Sequence, residues 1–288
     1  MKQLIVNADD FGYTRGVNAG IVRGFREGIV TSATLMANGV AFEDAVECAR
    51  ANPSLGVGCH LVLVGGECVA PEKQVRSLID SDGQLPISLP ALLAKLARGS
   101  VPSEEIENEL RAQVERVMAA GIQPTHFDSH KHTHAHPRVM EALVKVACAV
   151  GVRRVRQPFE DIGVLLHPAS GGGVSSWKQR AVACIARANA PRFRKLANSQ
   201  HLRMPNHFLG VAATGRLNQR AILSMIDAMR DGTTELMCHP GEYDADLEQS
   251  RTRLKREREA ELQALTDPGV RAAVRERDIR LVDFRGLD

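Results

Sequence analysis

A chain of 288 residues suits either two ordinary domains or one large α/β barrel, and 44% apolar against 25% charged residues is a composition able to bury a sizeable core. The net charge of +3 is close to neutral and no basic run carries interleaved aromatics, so nucleic acid is not an expected partner. No window approaches the roughly 18 uninterrupted apolar residues of a membrane span, and no integral membrane segment is expected.

The first apolar run, LIVNA (4–8), reads as a buried strand ending in Asp9 and Asp10. TRGVNAGIVRGFREG then reads as a helix with Thr14 as N-cap, Val17, Ile21 and Phe25 on one face, and Gly28 as its stop. SATLMA (32–37) is strand-like, AFEDAVECARAN helix-like, and LGVGCHLVL (55–63) a third strand. The Gly/Pro/Asp-rich stretch 65–90 reads as a long loop or lid. A helix follows with Ser103 as N-cap, acids in its first turn, and Ile106, Leu110, Val114 and Val117 in one stripe. THFDSH, VRRVRQP, NHFLGV, TTELMCHP and IRLVDF are the remaining strands, with helices over PRVMEALVKVACAVG and NQRAILSMIDAMR. RTRLKRERE (251–259) alternates charge and reads as a solvated helix face, and 160–203, with GGG at 171–173 and the one Trp, reads as an insertion.

Strands alternating with helices mean βαβ units and a parallel sheet. About eight strand candidates suit a single-domain, distorted (β/α) TIM-like barrel over 1–288, with seven strands as a variant. A doubly wound sheet is the competing fold, but it usually places a Gly-rich phosphate loop where this chain has Asp-Asp. Six cysteines without a CxxC pair fit reduced thiols. The short apolar run of MKQLIVNADDFG falls far below a signal-peptide core, so a cytoplasmic location is expected.

In parallel α/β folds functional residues gather at the carboxyl ends of strands. Asp9 and Asp10, His60, His130 and His239 all fall at or near such ends. Adjacent carboxylates raise each other's pKa; a divalent cation relieves one and leaves the other free as a base, while simple capping of the next turn is the competing explanation. His60 is flanked by apolar residues, a setting more common for a hydrogen-bonded core histidine than for a ligand. Five of the ten histidines lie between His126 and His136. In an extended THFDSH the side chains of His126, Asp128 and His130 share a face, so Asp128 is placed to fix the tautomer of a ligand. His130/His134 and His132/His136 are each four apart, a helical spacing, and a solvated histidine-rich turn is the alternative. His239 suits a general acid, with a packed core histidine as the rival, and Cys59 and Cys238 read as core.

N-A-D-D-F-G at 7–12, G-x-H-L at 58–61, T-H-F-D-S-H-x-H at 125–132 and M-C-H-P at 237–240 together resemble the YdjC-like carbohydrate deacetylase family. The match runs from the first strand to beyond Pro240, with 160–203 the least covered. HLVLVGGECVAPE followed by LIDSDGQL resembles the hopanoid-associated branch more than the chitooligosaccharide branch. The resemblance implies a distorted (β/α) barrel and one divalent metal ion on Asp10, His60 and His130, with Asp9 as general base and acetate removed from an N-acetylated sugar, with or without an attached lipid. It implies magnesium, whereas two histidine ligands suit zinc or another transition metal better. The histidine run is fuller than the motif needs, so His132 or His134 is a candidate to replace His130 or to contact the sugar. Arg156, Asn206 and polar residues of 65–90 are further candidates for sugar hydroxyls. Two rivals stay open: another barrel metallohydrolase, such as a phosphoesterase or amidohydrolase, and a non-catalytic metal- or sugar-binding protein. The oligomeric state is left open by the sequence, with a homodimer as one expectation.

Overall fold

β1 (Lys2–Phe11) is the central strand of a computed structural model that describes residues 1–160 and 187–287. The other strands are β2 (Ser32–Leu35), β3 (Gly56–Leu61), β4 (Phe127–Ser129), β5 (His207–Leu209), β6 (Gly232–Cys238) and a short β7 (Arg280–Leu281). All pairings are parallel, in the order β4-β3-β2-β1-β6-β5, with β7 also pairing β1. The sheet then curls back on itself. Val155 bridges to Phe127 of β4, Arg154 bridges to Arg203, and the chain from Arg203 leads directly into β5. Counting the bridging segment 154–155 as a stave, seven staves close the ring, and the expected distorted (β/α) barrel is the fold observed. The strand expected over VRRVRQP shrinks to these single bridges because β4 offers only three residues to pair with.

Helices α1 (Arg15–Glu27), α2 (Phe42–Arg50), α3 (Leu89–Ala97), α4 (Ser103–Ala119), α5 (Pro137–Val150), α6 (Ala190–Ser199), α7 (Gln219–Asp227), α8 (Ala245–Gln249), α9 (Arg256–Leu265) and α10 (Pro268–Glu276) complete the described elements. Thr14 caps α1 as expected, its hydroxyl accepting from Val17 N–H, and the helix stops at Gly28. Ser103 is instead the first residue of α4, behind Pro102, and its side chain makes no cap. α3, capped by Ser88, was not expected from the sequence. Most of the expected insertion, including GGG at 171–173 and Trp177, lies outside the described residues; α6, at its far end, packs on α5.

Segment 65–90, expected as a long loop or lid, is tied to α3 and α4 by side-chain hydrogen bonds. The Glu109 carboxylate accepts from Val69 and Ala70 N–H at 3.0–3.1 Å. Lys95 Nζ donates to the carbonyls of Ser77, Leu78 and Ile79. The segment's own Val75, Leu78 and Leu85 are buried.

The main apolar cluster lies between the strands and the surrounding helices. The barrel interior is different, because the inward side chains of Asn7, Thr34, Asp128 and Glu235 are polar. Its floor is a small separate cluster of Ile5, Phe284 and Leu287. His126 stacks on Phe284 with ring centroids 3.5 Å apart. Gly58 makes room for that ring, since a Cβ there would lie 2.4 Å from it. The loss of strand side-chain packing at such a glycine is the cost of the close approach.

Candidate metal centre and catalytic groups

In an unbroken strand Asp9 and Asp10 point to opposite faces. Here the pairing of β1 with β2 slips between Ala8 and Phe11, three steps along β1 against two along β2. Asp10 takes up the extra residue with φ at +67°, in the left-handed region that a non-glycine residue enters only at a cost. The bulge turns both carboxylates toward the mouth of the barrel. A left-handed pair, Lys131 and His132, turns the chain immediately after His130.

His60 from β3, His130 beyond β4 and Asp10 converge. Asp10 Oδ1 lies 3.1 Å from His130 Nδ1 and 3.5 Å from His60 Nε2, and the two imidazole nitrogens are 3.4 Å apart. Donor atoms about 3.3 Å apart are what a four-coordinate ion with bonds of about 2.0–2.1 Å requires, with one position left open, so these residues fit a divalent cation. The other ring nitrogen of His60, Nδ1, is 2.7 Å from Asp128 Oδ1, which holds the proton there and leaves Nε2 facing the triangle. Thr34 Oγ1 donates to Asp128 Oδ2 at 3.0 Å and fixes that carboxylate in turn. Burial disfavours a charged His60, yet Asp128 and then Asp10 outweigh it and push the ring up to about 10.

Asp9 belongs to a second network. Arg156 is fully buried and grips it with two parallel bonds of 2.7 Å, while the same guanidinium reaches Asp128 at 2.9 Å and Glu235 at 2.6 Å. Burial alone would raise the Asp9 carboxyl, but Arg156 overrides it and holds it below the usual carboxylate range. Asp9, His60 and Asp128 also lie close enough together to resemble a second metal site. The Arg156 charge is already spent on Asp9 and Asp128, so that group is neutralised from within the protein.

His239 follows β6. Its backbone N–H donates to Glu261 Oε2 at 2.6 Å, and its buried Nδ1 has no hydrogen-bond partner. Burial pushes the ring down to about 4, against the opposing pull of Asp10 and Asp9. Arg258 and Glu261, both on α9 and both about 1% exposed, complete the surroundings. Arg258 Nη2 lies 2.5 Å from Asp10 Oδ2.

Of the residues singled out in the sequence, Asp9, Asp10, His60, His130 and His239 gather at one end of the barrel. Asp128 holds the His60 ring and Cys59 and Cys238 are buried, whereas Arg156, His132, His134 and Asn206 are placed differently from the expectation. Arg156 is sealed in the interior and paired with Asp9, Asp128 and Glu235, which leaves it turned to carboxylates rather than to the surface where a sugar hydroxyl would lie. His134 is buried, bonded to Ser129 Oγ and to the Arg156 carbonyl, and is not a spare ligand. His132 lies edge-on to Phe208, outside the donor triangle. The residues from His130 to His136 form a tight 3₁₀ turn broken by left-handed backbone, so no helical histidine face exists. Asn206 is at the other end of the barrel, accepting from Thr233 N–H at the start of β6, six residues before His239. RTRLKRERE is not wholly solvated, since Arg258 is buried. Arg258 and Glu261 were missed, although with Leu262 and Leu265 they repeat at the helical spacing of a core-facing stripe.

A family model described as YdjC-like protein matches residues 3–276. The chain belongs to the YdjC-like family. Within this family's reach, a protein from Geobacillus stearothermophilus named carbohydrate deacetylase is 36% identical over 285 residues, covering 99% of this chain and 97% of its own. A mouse protein of the same name is 34% identical, covering 83% of this chain and 78% of its own. Among solved structures, an Enterococcus faecalis protein proposed to cleave cellobiose phosphate superimposes with a TM-score of 0.80 at 27% identity, covering 98% of this chain and 97% of its own. No helix among the described residues is long and apolar enough to cross a membrane.

Proposed function

We propose that this YdjC-like protein is a carbohydrate N-deacetylase that releases acetate from an N-acetylated sugar. The observation that carries this is the triangle of Asp10, His60 and His130 donors with an ionised Asp9 beside it at the carboxyl end of the barrel. The names of the full-length relatives support the substrate class.

Asp10, His60 and His130 would hold one divalent ion, and the two imidazoles favour zinc or another transition metal over magnesium. When bound, the ion supplies Lewis acidity that polarises the amide carbonyl and acidifies water at the site. Asp9 takes the proton from the attacking water. Arg156 keeps Asp9 ionised in the resting state while leaving carboxylate lone pairs free, and desolvation by the sugar raises its basicity when substrate covers the mouth. Asp128 locks the His60 ring so that its Nε2 stays turned to the donor set. His239, neutral at rest, carries the proton collected by Asp9 to the leaving amine as the C–N bond breaks. One proton passes from water to the amine and the hydroxyl remains on the acetyl carbon as acetic acid, whose own proton then goes to the freed amine to give acetate and an ammonium group.

The Arg156 guanidinium among Asp9, Asp128 and Glu235 favours one ion per chain over the two of many barrel amidohydrolases. The test is acetate release from N,N′-diacetylchitobiose by metal-stripped protein refilled in turn with magnesium, zinc, cobalt or nickel. Release that depends on metal, at one ion per chain, is expected. Two ions per chain, or turnover of a phosphoester panel without acetate release, would move the protein to another hydrolase class.

A further inference from the structure

Each oxygen of the Asp10 carboxylate has its own partner. Oδ1 faces His60 and His130, whereas Oδ2 is held by Arg258, which reaches it from α9 on the far side. Arg258 is built in rather than draped over the surface. Its Nε donates to the Leu254 carbonyl at 3.2 Å, and its guanidinium lies 5.7 Å from the Tyr13 ring centroid. Gly241, two residues after His239, sits so close that a Cβ there would meet the Arg258 stem at 3.1–3.2 Å. Burying an arginine this completely is costly unless a carboxylate balances it, and here that carboxylate is the proposed metal ligand itself.

We infer that Arg258 is a positioning residue that makes Asp10 a one-oxygen, charge-compensated ligand of the ion. This rests on the metal reading proposed above. Arg258 occupies the oxygen that would otherwise make the carboxylate bidentate. It also cancels the one formal negative charge of the donor set, since the two imidazole ligands are neutral. An ion held by such a set keeps more of its own positive charge and is bound less tightly than its ligands alone would dictate. The enzyme thereby gives up affinity for a stronger electrophile.

The test titrates cobalt(II) into metal-stripped wild-type, Arg258→Met and Arg258→Lys proteins, following affinity and the visible absorption that reports coordination number. Arg258→Met frees Oδ2 and removes the repelling charge, so cobalt should bind at least about tenfold tighter with weaker absorption as coordination number rises. Arg258→Lys keeps the charge but loses the Nε bond to the Leu254 carbonyl that aims the guanidinium at Oδ2, so its affinity should stay within about threefold of wild type while its spectrum shifts. Unchanged or weaker binding in Arg258→Met, or a wild-type spectrum in Arg258→Lys, would overturn the inference and leave the metal reading intact. Loss of binding in both variants would overturn it too, reducing Arg258 to a folding role. Absence of wild-type binding at one cobalt per chain would sink both. Should Arg258→Met fail to fold, the Arg258→Lys spectrum decides alone.

Discussion

Arg156→Gln attacks the polar interior at its centre. The substitution removes the one guanidinium shared by Asp9, Asp128 and Glu235, all of them buried. Breaking a buried pair by deleting one partner costs about 3–5 kcal/mol, because the remaining charge is left uncompensated. For a chain of this size each kcal/mol moves Tm by roughly 2 °C, so a fall of roughly 6–10 °C is expected in a thermal melt. The second effect is on Asp9. Burial already raises its carboxyl, and Arg156 is what overrides that. With the guanidinium gone, Asp9 moves above its ordinary 3.8, and the acid limb of kcat/KM for acetate release shifts upward by at least about one pH unit. The stability linked to Asp9 has a definite sign. With a depressed folded value, it is fully present above 3.8 and lost as pH falls through the folded value, so wild type should show an acid-sensitive contribution that the variant lacks. A variant with an unmoved acid limb and an unchanged melt would show that Arg156 does not set the state of Asp9.

Further outcomes follow from the same geometry. Asp9→Asn should lower turnover by about 10²–10⁴-fold while cobalt still binds at one per chain; loss of the metal would place Asp9 among the ligands instead. Glu235 is pushed up to about 8 by burial, against Arg156, so between its ordinary 4.5 and about 8 only the unfolded chain releases that proton and wild-type stability falls as pH rises. Glu235→Gln cannot ionise, and its melting temperature should gain on wild type steadily across that window; parallel melts would refute the protonated state. Asn206→Ala should leave kcat/KM for diacetylchitobiose within about twofold, since Asn206 caps the strand starts at the opposite end. A loss of tenfold or more would return it to the site.

The barrel and the gathering of Asp9, Asp10, His60, His130 and His239 at strand ends were legible because they rest on local signals. The choice of Asp10, His60 and His130 as a ligand set came instead from the family resemblance. Apolar runs alternating with helical stripes carry the fold, and Asp10, His60 and His130 stand where parallel strands present their carboxyl ends. What was not legible depends on partners distant in sequence or on backbone twist. Nothing in N-A-D-D-F-G says that both aspartates turn inward; that needs the bulge and the left-handed Asp10. Equally, an even histidine spacing suggested a helical face, until left-handed Lys131 and His132 broke it. Arg156, expected to reach a sugar hydroxyl, and Arg258, expected on a solvated face, share a cause. An arginine looks available to solvent or substrate unless one knows which carboxylates the fold brings to it.

That separation in sequence has a consequence for how the chain folds. The cations that quiet Asp9 and Asp10 lie 147 and 248 residues further along. A half-barrel assembled from β1 to β4 alone would hold Asp9, Asp10 and Asp128 together with only His60 and His130 to offset them and neither arginine in place. Like charges at such short range penalise that intermediate, while loop closure over so many residues makes the relieving contacts late ones. The acidic cluster at the barrel mouth thus discourages partial assemblies during folding, tying completion of the barrel to completion of the candidate site.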